Sequence, residues 1–170
     1  MNEDIVFNPK KFKAMLHYII SKCESKENFG RVLLYKLLYF SDFDYYEKFE
    51  KPISGETYLR KKMGPAPSHF FEAIDDLVNQ RKIDETIDFV INYKKYKYFS
   101  LVEPDTSSLS SKELCVIDDV IKRLSHFYSN EISHYSHGDI PWRLADDGEA
   151  LNYESVFYRD PEYSVRDYDD

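Results

Sequence analysis

The stretch that decides the fold is residues 29–47, which read FGRVLLYKLLYFSDFDYYE. Its apolar residues recur three and four positions apart, which is the spacing of a wide buried face on an α-helix. The positions concerned are Val32, Leu33, Leu34, Tyr35, Leu37, Leu38, Phe40 and Tyr45. A helix this apolar is expected to lie at the centre of the hydrophobic core.

Three carboxylates follow the apolar part of this helix: Asp42, Asp44 and Glu47. Two carboxylates can act as a catalytic acid and a catalytic base only when their environments give them different pKa values. The sequence shows no partner group that would do so. We therefore interpret all three as charges on the helix surface.

Shorter elements are predicted on both sides of the central helix. Residues 8–23 begin with Asn-Pro, which is typical of a helix start. Ser68 is predicted to cap a further helix, and Ser110 with Glu113 matches a capping box. Between residues 83 and 102 the apolar period changes to two, which predicts two strands joined by a turn at 92–95.

These elements together predict the fold class. We expect an α+β domain that is mainly α-helical, with about five or six helices around the central apolar helix. The predicted strands add one small antiparallel β-hairpin. A length of 170 residues suits a single domain.

Composition and charge narrow the range of partners. The chain holds 15 Tyr, 12 Phe and one Trp, and its net charge is −8. Residues 1–100 carry 17 basic and 15 acidic residues, whereas residues 101–170 carry 6 and 16. Nucleic-acid binding usually depends on a basic surface that neutralises phosphates. This distribution disfavours nucleic acid and favours a basic protein partner.

The sequence also bears on the compartment. Cys23 and Cys115 lie far apart in apolar segments, which predicts buried free thiols. The opening Met1-Asn2-Glu3-Asp4 is acidic and unlike a signal peptide. No apolar run approaches the ~18 residues of a membrane span. We therefore expect a cytoplasmic protein without a membrane partner.

A search for catalytic constellations gives one weak candidate. The five glycines are too scattered for a phosphate-binding loop. His134, His137 and Asp139 could place two imidazoles and a carboxylate on one helical face, and zinc accepts such ligands. In the alternative interpretation the two histidines pack around Trp142. We therefore predict a protein that is not an enzyme and uses no cofactor, and a metal-dependent enzyme built on these three residues is a less favoured alternative.

Several short motifs follow one another in a fixed order. The first group is KLLYFSD at 36–42, PISGETY at 52–58 and KMGPAPS at 62–68. The second is ISHYSH at 132–137, Pro-Trp at 141–142 and LNYE at 151–154. In order and spacing this set resembles the Panacea domain, the SocA-like antitoxin family of bacterial and phage toxin–antitoxin operons. The resemblance runs from about residue 10 to 158.

The resemblance implies a non-enzymatic antitoxin of mobile genetic elements that neutralises a co-encoded toxin by direct binding. A second role remains as an alternative, that of an adaptor which delivers the toxin to an ATP-dependent protease. The chain could also form a homodimer. We expect residues 1–158 to form the antitoxin domain. Residues 159–170 are expected to form an acidic, loose C-terminal tail.

The predicted partner-binding residues come from the motifs and from interface composition. Aromatic residues, Arg and Met are enriched at the centres of protein interfaces. The kinked loop at 60–71 is predicted to supply a rigid anchor made of Arg60, Met63, Pro65, Pro67, Phe70 and Phe71. The hairpin is predicted to add Tyr96 and Tyr98, and its edge could pair with a partner strand. From the second motif group we add His134, His137 and Trp142.

The same motif residues also have a purely structural interpretation. Gly64, Pro65 and Pro67 are residue types that a backbone needs at tight crossings. Trp142 could belong to the core. Both interpretations stay open at the level of the sequence.

Overall fold

The computed structural model describes residues 5–168. Within them the chain forms six α-helices, four strands and a 3₁₀-helix, which confirms the predicted mainly helical α+β class. In chain order these are α1 Pro9–Cys23, α2 Arg31–Phe49, β1 Tyr58–Lys61, β2 Gly64–Pro67, α3 Phe70–Asn79, β3 Ile83–Val90, β4 Tyr93–Ser100, α4 Ser111–Leu124, α5 Ser129–His137, α6 Ile140–Leu144 and the 3₁₀-helix Tyr153–Tyr158. The strands form two antiparallel hairpins, β1–β2 and β3–β4.

Helix α2 is the centre of the domain, as predicted. The helices α1, α4 and α5, the strand β2 and the 3₁₀-helix all pack against it. Leu33, Leu37 and Tyr39 have no exposed surface. Since neighbours cover α2 on several sides, its apolar residues extend beyond the single stripe of a surface helix.

Two predicted helix starts are confirmed, and one is wrong. Asn8 accepts a hydrogen bond from the backbone N–H of Lys11 (3.0 Å). Ser110 and Glu113 form a reciprocal capping box. Ser68 does not cap α3, whose N-cap residue is His69. The Ser68 hydroxyl donates to the buried Glu56 carboxylate instead (3.1 Å).

The hairpin β3–β4 is confirmed, but its turn is shorter than predicted. Val90 pairs with Tyr93, which leaves only Ile91 and Asn92 in the turn. Asn92 has φ 74°, a left-handed conformation that asparagine tolerates better than most residues. Lys94 belongs to β4 as a consequence.

The hairpin β1–β2 was not predicted from the sequence. The sequence predicts a kinked loop at 60–71, yet Arg60 pairs with Pro65 and Tyr58 with Pro67. Proline is tolerated here because β2 is an edge strand. This hairpin carries most of the motif at residues 62–68.

The carboxylates Asp42, Asp44 and Glu47 are all buried, so their assignment to the helix surface was wrong. Asp42 accepts hydrogen bonds from the Ser54 N–H (2.7 Å), the Ser54 hydroxyl (2.6 Å) and the Tyr58 hydroxyl (2.7 Å).

Asp44 and Glu47 are paired with a buried cation, Arg159. Nη1 of Arg159 donates to Asp44 (2.8 Å) and to Glu47 (3.0 Å). Its Nη2 donates to Asp139 (2.8 Å). Buried charges are tolerated when they are paired and hydrogen-bonded in this way.

The described part of the predicted loose tail, residues 159–168, is packed against the domain. Ser164 and Tyr168 donate hydrogen bonds to the Glu47 carboxylate (2.5 and 2.9 Å). The Tyr163 hydroxyl donates to the Tyr135 carbonyl (2.9 Å). Residues 169–170 and the acidic opening at 1–4 lie outside the described residues. The division into a domain at 1–158 and a tail stays a prediction.

Candidate partner-binding surface

The eleven predicted partner-binding residues fall into two groups in the structure. We call the first the hairpin clamp; it joins the β1–β2 hairpin to α5 and α6 and contains Arg60, Met63, Pro65, Pro67, His134, His137 and Trp142. We call the second the aromatic surface; it joins α3 to β4 and contains Phe70, Phe71, Tyr96 and Tyr98. Helix α2 contacts both groups: its Tyr35 meets Phe70 edge to face with ring centroids 4.7 Å apart, and its Lys36 lies beside Gly64 of the β1–β2 hairpin.

The hairpin clamp fixes the β1–β2 turn at three points. Three consecutive carbonyls of the turn each accept a hydrogen bond from α5 or α6: Lys61 from Trp142 (3.2 Å), Lys62 from His137 (2.9 Å) and Met63 from Ser133 (2.8 Å). The Met63 side chain points outward and is 47% exposed. The turn is therefore a rigid support for one exposed apolar side chain.

Arg60 and Trp142 form the outer wall of the clamp. The Arg60 guanidinium lies 3.8 Å from the centre of the Trp142 ring and donates to the Trp142 carbonyl (3.0 Å). The His137 ring stacks on the same indole at 4.2 Å. Burial lowers the pKa of His137, which favours the neutral ring. His134 is exposed beside this stack.

Lys36 of α2 lies under the same turn. Gly64 has φ 109°, and a Cβ on it would lie 2.6 Å from Cε of Lys36 and would collide with the Ser136 hydroxyl. Lys36 is 1% exposed, and burial lowers its pKa to about 7. Glycine is therefore needed at position 64 for both conformation and space.

For two residues of the clamp, the predicted contact with a partner is wrong because their side chains are buried. Pro65 and Pro67 are buried on β2, so neither side chain can reach a partner. Their role is to shape the hairpin, which agrees with the structural interpretation of this motif.

The aromatic surface is organised by Arg31, a residue that the sequence analysis missed. Its guanidinium lies 3.6 Å from the ring centre of Tyr96 and 5.0 Å from that of Phe71. Its Nε donates to the Tyr98 hydroxyl (2.9 Å), and it forms an ion pair with Glu85 (3.3 Å). Although burial alone would lower the pKa of Arg31, its hydrogen bond to Tyr98 raises that pKa overall.

One sequence signal could have revealed Arg31. A cation in the first turn of a helix opposes the helix dipole, so its presence there points to a tertiary contact. Arg31 is the first residue of α2.

The prediction that Phe70 and Tyr98 contact a partner is also wrong, because neither side chain is exposed. Both are buried beneath Arg31. Phe71, 57% exposed, and the half-buried Tyr96 are the members of this group that a partner can touch.

Exposed apolar side chains extend the aromatic surface along the β3–β4 hairpin. Ile87 pairs with Tyr96 and is 43% exposed, and Phe89, on the same side of β3, is 80% exposed. We call Ile87, Phe89 and Tyr96 the hairpin face. Apolar side chains grouped in this way are a common mark of an interaction site.

The suggested metal site is not assembled. The Asp139 carboxylate is buried and accepts hydrogen bonds from Tyr39 (2.8 Å) and Arg159 (2.8 Å). His137 is occupied by the Lys62 carbonyl. Among the described residues no group of His, Cys, Asp or Glu could hold a metal ion.

Fold and surfaces define a mainly helical α+β domain with an exposed aromatic hairpin. The family model of the SocA-like antitoxins, Panacea domain, matches residues 34–143, about two thirds of the chain. The chain therefore belongs to this family, which confirms the resemblance seen in the motifs. Membership supports an antitoxin role in general and, with it, a toxin as partner. Neither curated proteins nor solved structures give a match. In the described part of the chain, no helix has the length and apolar character needed to cross a membrane.

Proposed function

We propose that this chain neutralises a co-encoded toxin by direct protein–protein binding through the aromatic surface and the hairpin face. One observation carries the proposal: Phe71 is exposed beside Arg31, and Ile87 and Phe89 are exposed on the adjoining hairpin, in a chain that belongs to an antitoxin family. The free energy falls when a partner covers large apolar side chains and removes them from water.

Arg31 is well prepared to be the centre of such an interface. Arg and Tyr dominate the energetics of protein interfaces when they lie near the centre of a contact. The guanidinium is already held by Tyr98 and stacked on Tyr96, so little side-chain freedom remains to be lost on binding.

The hairpin clamp is proposed as a second, smaller contact. Met63 extends from a turn fixed by three hydrogen bonds and follows the exposed Lys61 and Lys62. A methionine adapts its shape to a partner easily. His134, His137 and Trp142 act here through the turn that they support or flank.

Co-expression with the product of the adjacent gene tests the proposal. We expect the intact chain to restore growth and to co-purify with that product. An Arg31→Ala, Phe71→Ala double variant should weaken binding by about tenfold or more. Lys122→Ala is the control, because Lys122 is exposed on α4 outside both surfaces. Circular dichroism of each variant separates lost binding from lost folding.

The proposal fails if the adjacent product does not bind, or if the folded double variant binds as tightly as the control. A third outcome favours the protease-adaptor role over simple blocking. In that case the toxin's half-life falls when the chain is present, and only in cells with an intact ATP-dependent protease.

A further inference from the structure

The two outer edges of the β3–β4 hairpin differ. The edge of β4 is covered by the loop between α1 and α2: the Ser100 N–H donates to Glu24 (2.6 Å), and the Tyr96 carbonyl lies against Gly30. Lys95 also donates from its amine to the Glu27 carbonyl (2.9 Å). No comparable segment covers β3 in residues 5–168.

The backbone of β3 therefore presents free hydrogen-bonding groups. A two-residue turn closed by Val90 and Tyr93 makes that pair hydrogen-bonded, and such pairs alternate along an antiparallel ladder. Glu85, Ile87 and Phe89 consequently direct their N–H and C=O groups away from β4. Across the described residues, none of these groups has a hydrogen-bond partner.

The side chains of β3 define what could pair with it. On one face Ile87 and Phe89 are exposed and apolar. On the other face Asp84 and Asp88 are exposed and make no ion pair within the described chain. The strand has three acidic residues and no basic one. A neighbouring strand would therefore match it best with apolar side chains on one face and Lys or Arg on the other.

We propose that the free edge of β3 binds an extended segment of the toxin as a third strand, and that this segment alternates apolar and basic side chains. The inference rests on the proposed function and adds the chemistry of the partner. A second copy of the chain fits this edge less well, because two β3 edges would bring six carboxylates together. Because the edge lacks the lysines and prolines that commonly prevent strand addition, it is open to a partner segment of opposite charge.

Amide hydrogen exchange with the purified adjacent-gene product tests the pairing directly. In the free chain we expect the amides of Glu85, Ile87 and Phe89 to exchange rapidly, because they have no partner. In the complex they should be protected at least about tenfold. Unchanged exchange in a complex that does form would overturn the edge proposal and leave the proposed function intact.

Charge reversal tests the predicted chemistry of the segment. Asp84→Lys with Asp88→Lys should lower affinity for the same product by about tenfold or more. The control, Glu103→Lys with Glu162→Lys, changes the net charge equally at exposed positions outside both surfaces. Equal effects of the two pairs would indicate long-range charge only and contradict the proposal. Concentration-dependent protection of β3 in the free chain would assign the edge to self-association instead. If the product does not bind at all, both proposals fall.

Discussion

Replacing Lys36 by methionine should stabilise the domain, although the side chain lies in the family motif. The Lys36 amine is enclosed under Gly64 and forms no ion pair with any described residue. Burial lowers its pKa from 10.5 to about 7. Methionine keeps a similar volume in the same space and needs no charge.

The size of the stabilisation expected from Lys36→Met follows from the lowered pKa of Lys36. One pKa unit corresponds to about 1.4 kcal/mol. At pH 7 the burial of this amine therefore costs the folded state about 4 kcal/mol, an upper estimate. Because the folded-state pKa lies below the unfolded value, the native state binds fewer protons between pH 7 and 10.5. Stability rises with pH in this window, and the remaining cost at pH 9 is about 2 kcal/mol.

Urea unfolding of both proteins at pH 7, 8 and 9 measures the effect. We expect Lys36→Met to raise the free energy of unfolding most at pH 7 and progressively less towards pH 9. Lys62→Met serves as the control, because Lys62 is exposed on the adjacent turn. A stability difference that does not change with pH would refute the assignment of a neutral, buried amine.

Two further substitutions test the scaffold by urea unfolding. Arg159→Met should destabilise the fold by about 3–5 kcal/mol, because it leaves buried carboxylates without their cation; Arg166→Met, which removes a partly exposed ion pair, should cost less than about 1 kcal/mol. Gly64→Ala should cost at least about 2 kcal/mol. Gly148→Ala is its control, since Gly148 also has a positive φ but has open space around it, and equal costs at both positions would show that packing over Lys36 is unimportant.

Local sequence rules predicted the elements whose signals are local. The start of α1 and the capping box of α4 depend on residues three positions apart, and both are confirmed. The hairpin β1–β2 escaped prediction because its strands are four residues long and one of them contains two prolines. Its stability comes from hydrogen bonds to α5 and α6, about 70 to 80 residues further along the chain.

The buried charges show a different limit of sequence reasoning. Acidic residues are mostly exposed, so Asp44 and Glu47 were assigned to the surface by residue type. Arg159, which forms ion pairs with both, lies 115 residues from Asp44 and 112 from Glu47. Arg31 was missed for a related reason, because its partners Tyr98 and Glu85 lie 67 and 54 residues away. Such pairings become visible only when the fold brings the segments together.

The molecule departs from the usual distribution of charge and apolar surface in two places. Carboxylates are buried around α2, and this is tolerated because Arg159 and Arg123 of the same chain form ion pairs with them. Apolar side chains are exposed along β3, and the described chain supplies nothing that covers them. A third strand with a matching apolar face would cover the side chains that β3 leaves exposed. In the edge proposal the toxin segment supplies that strand, and the exposed apolar side chains of β3 are the observation that supports it.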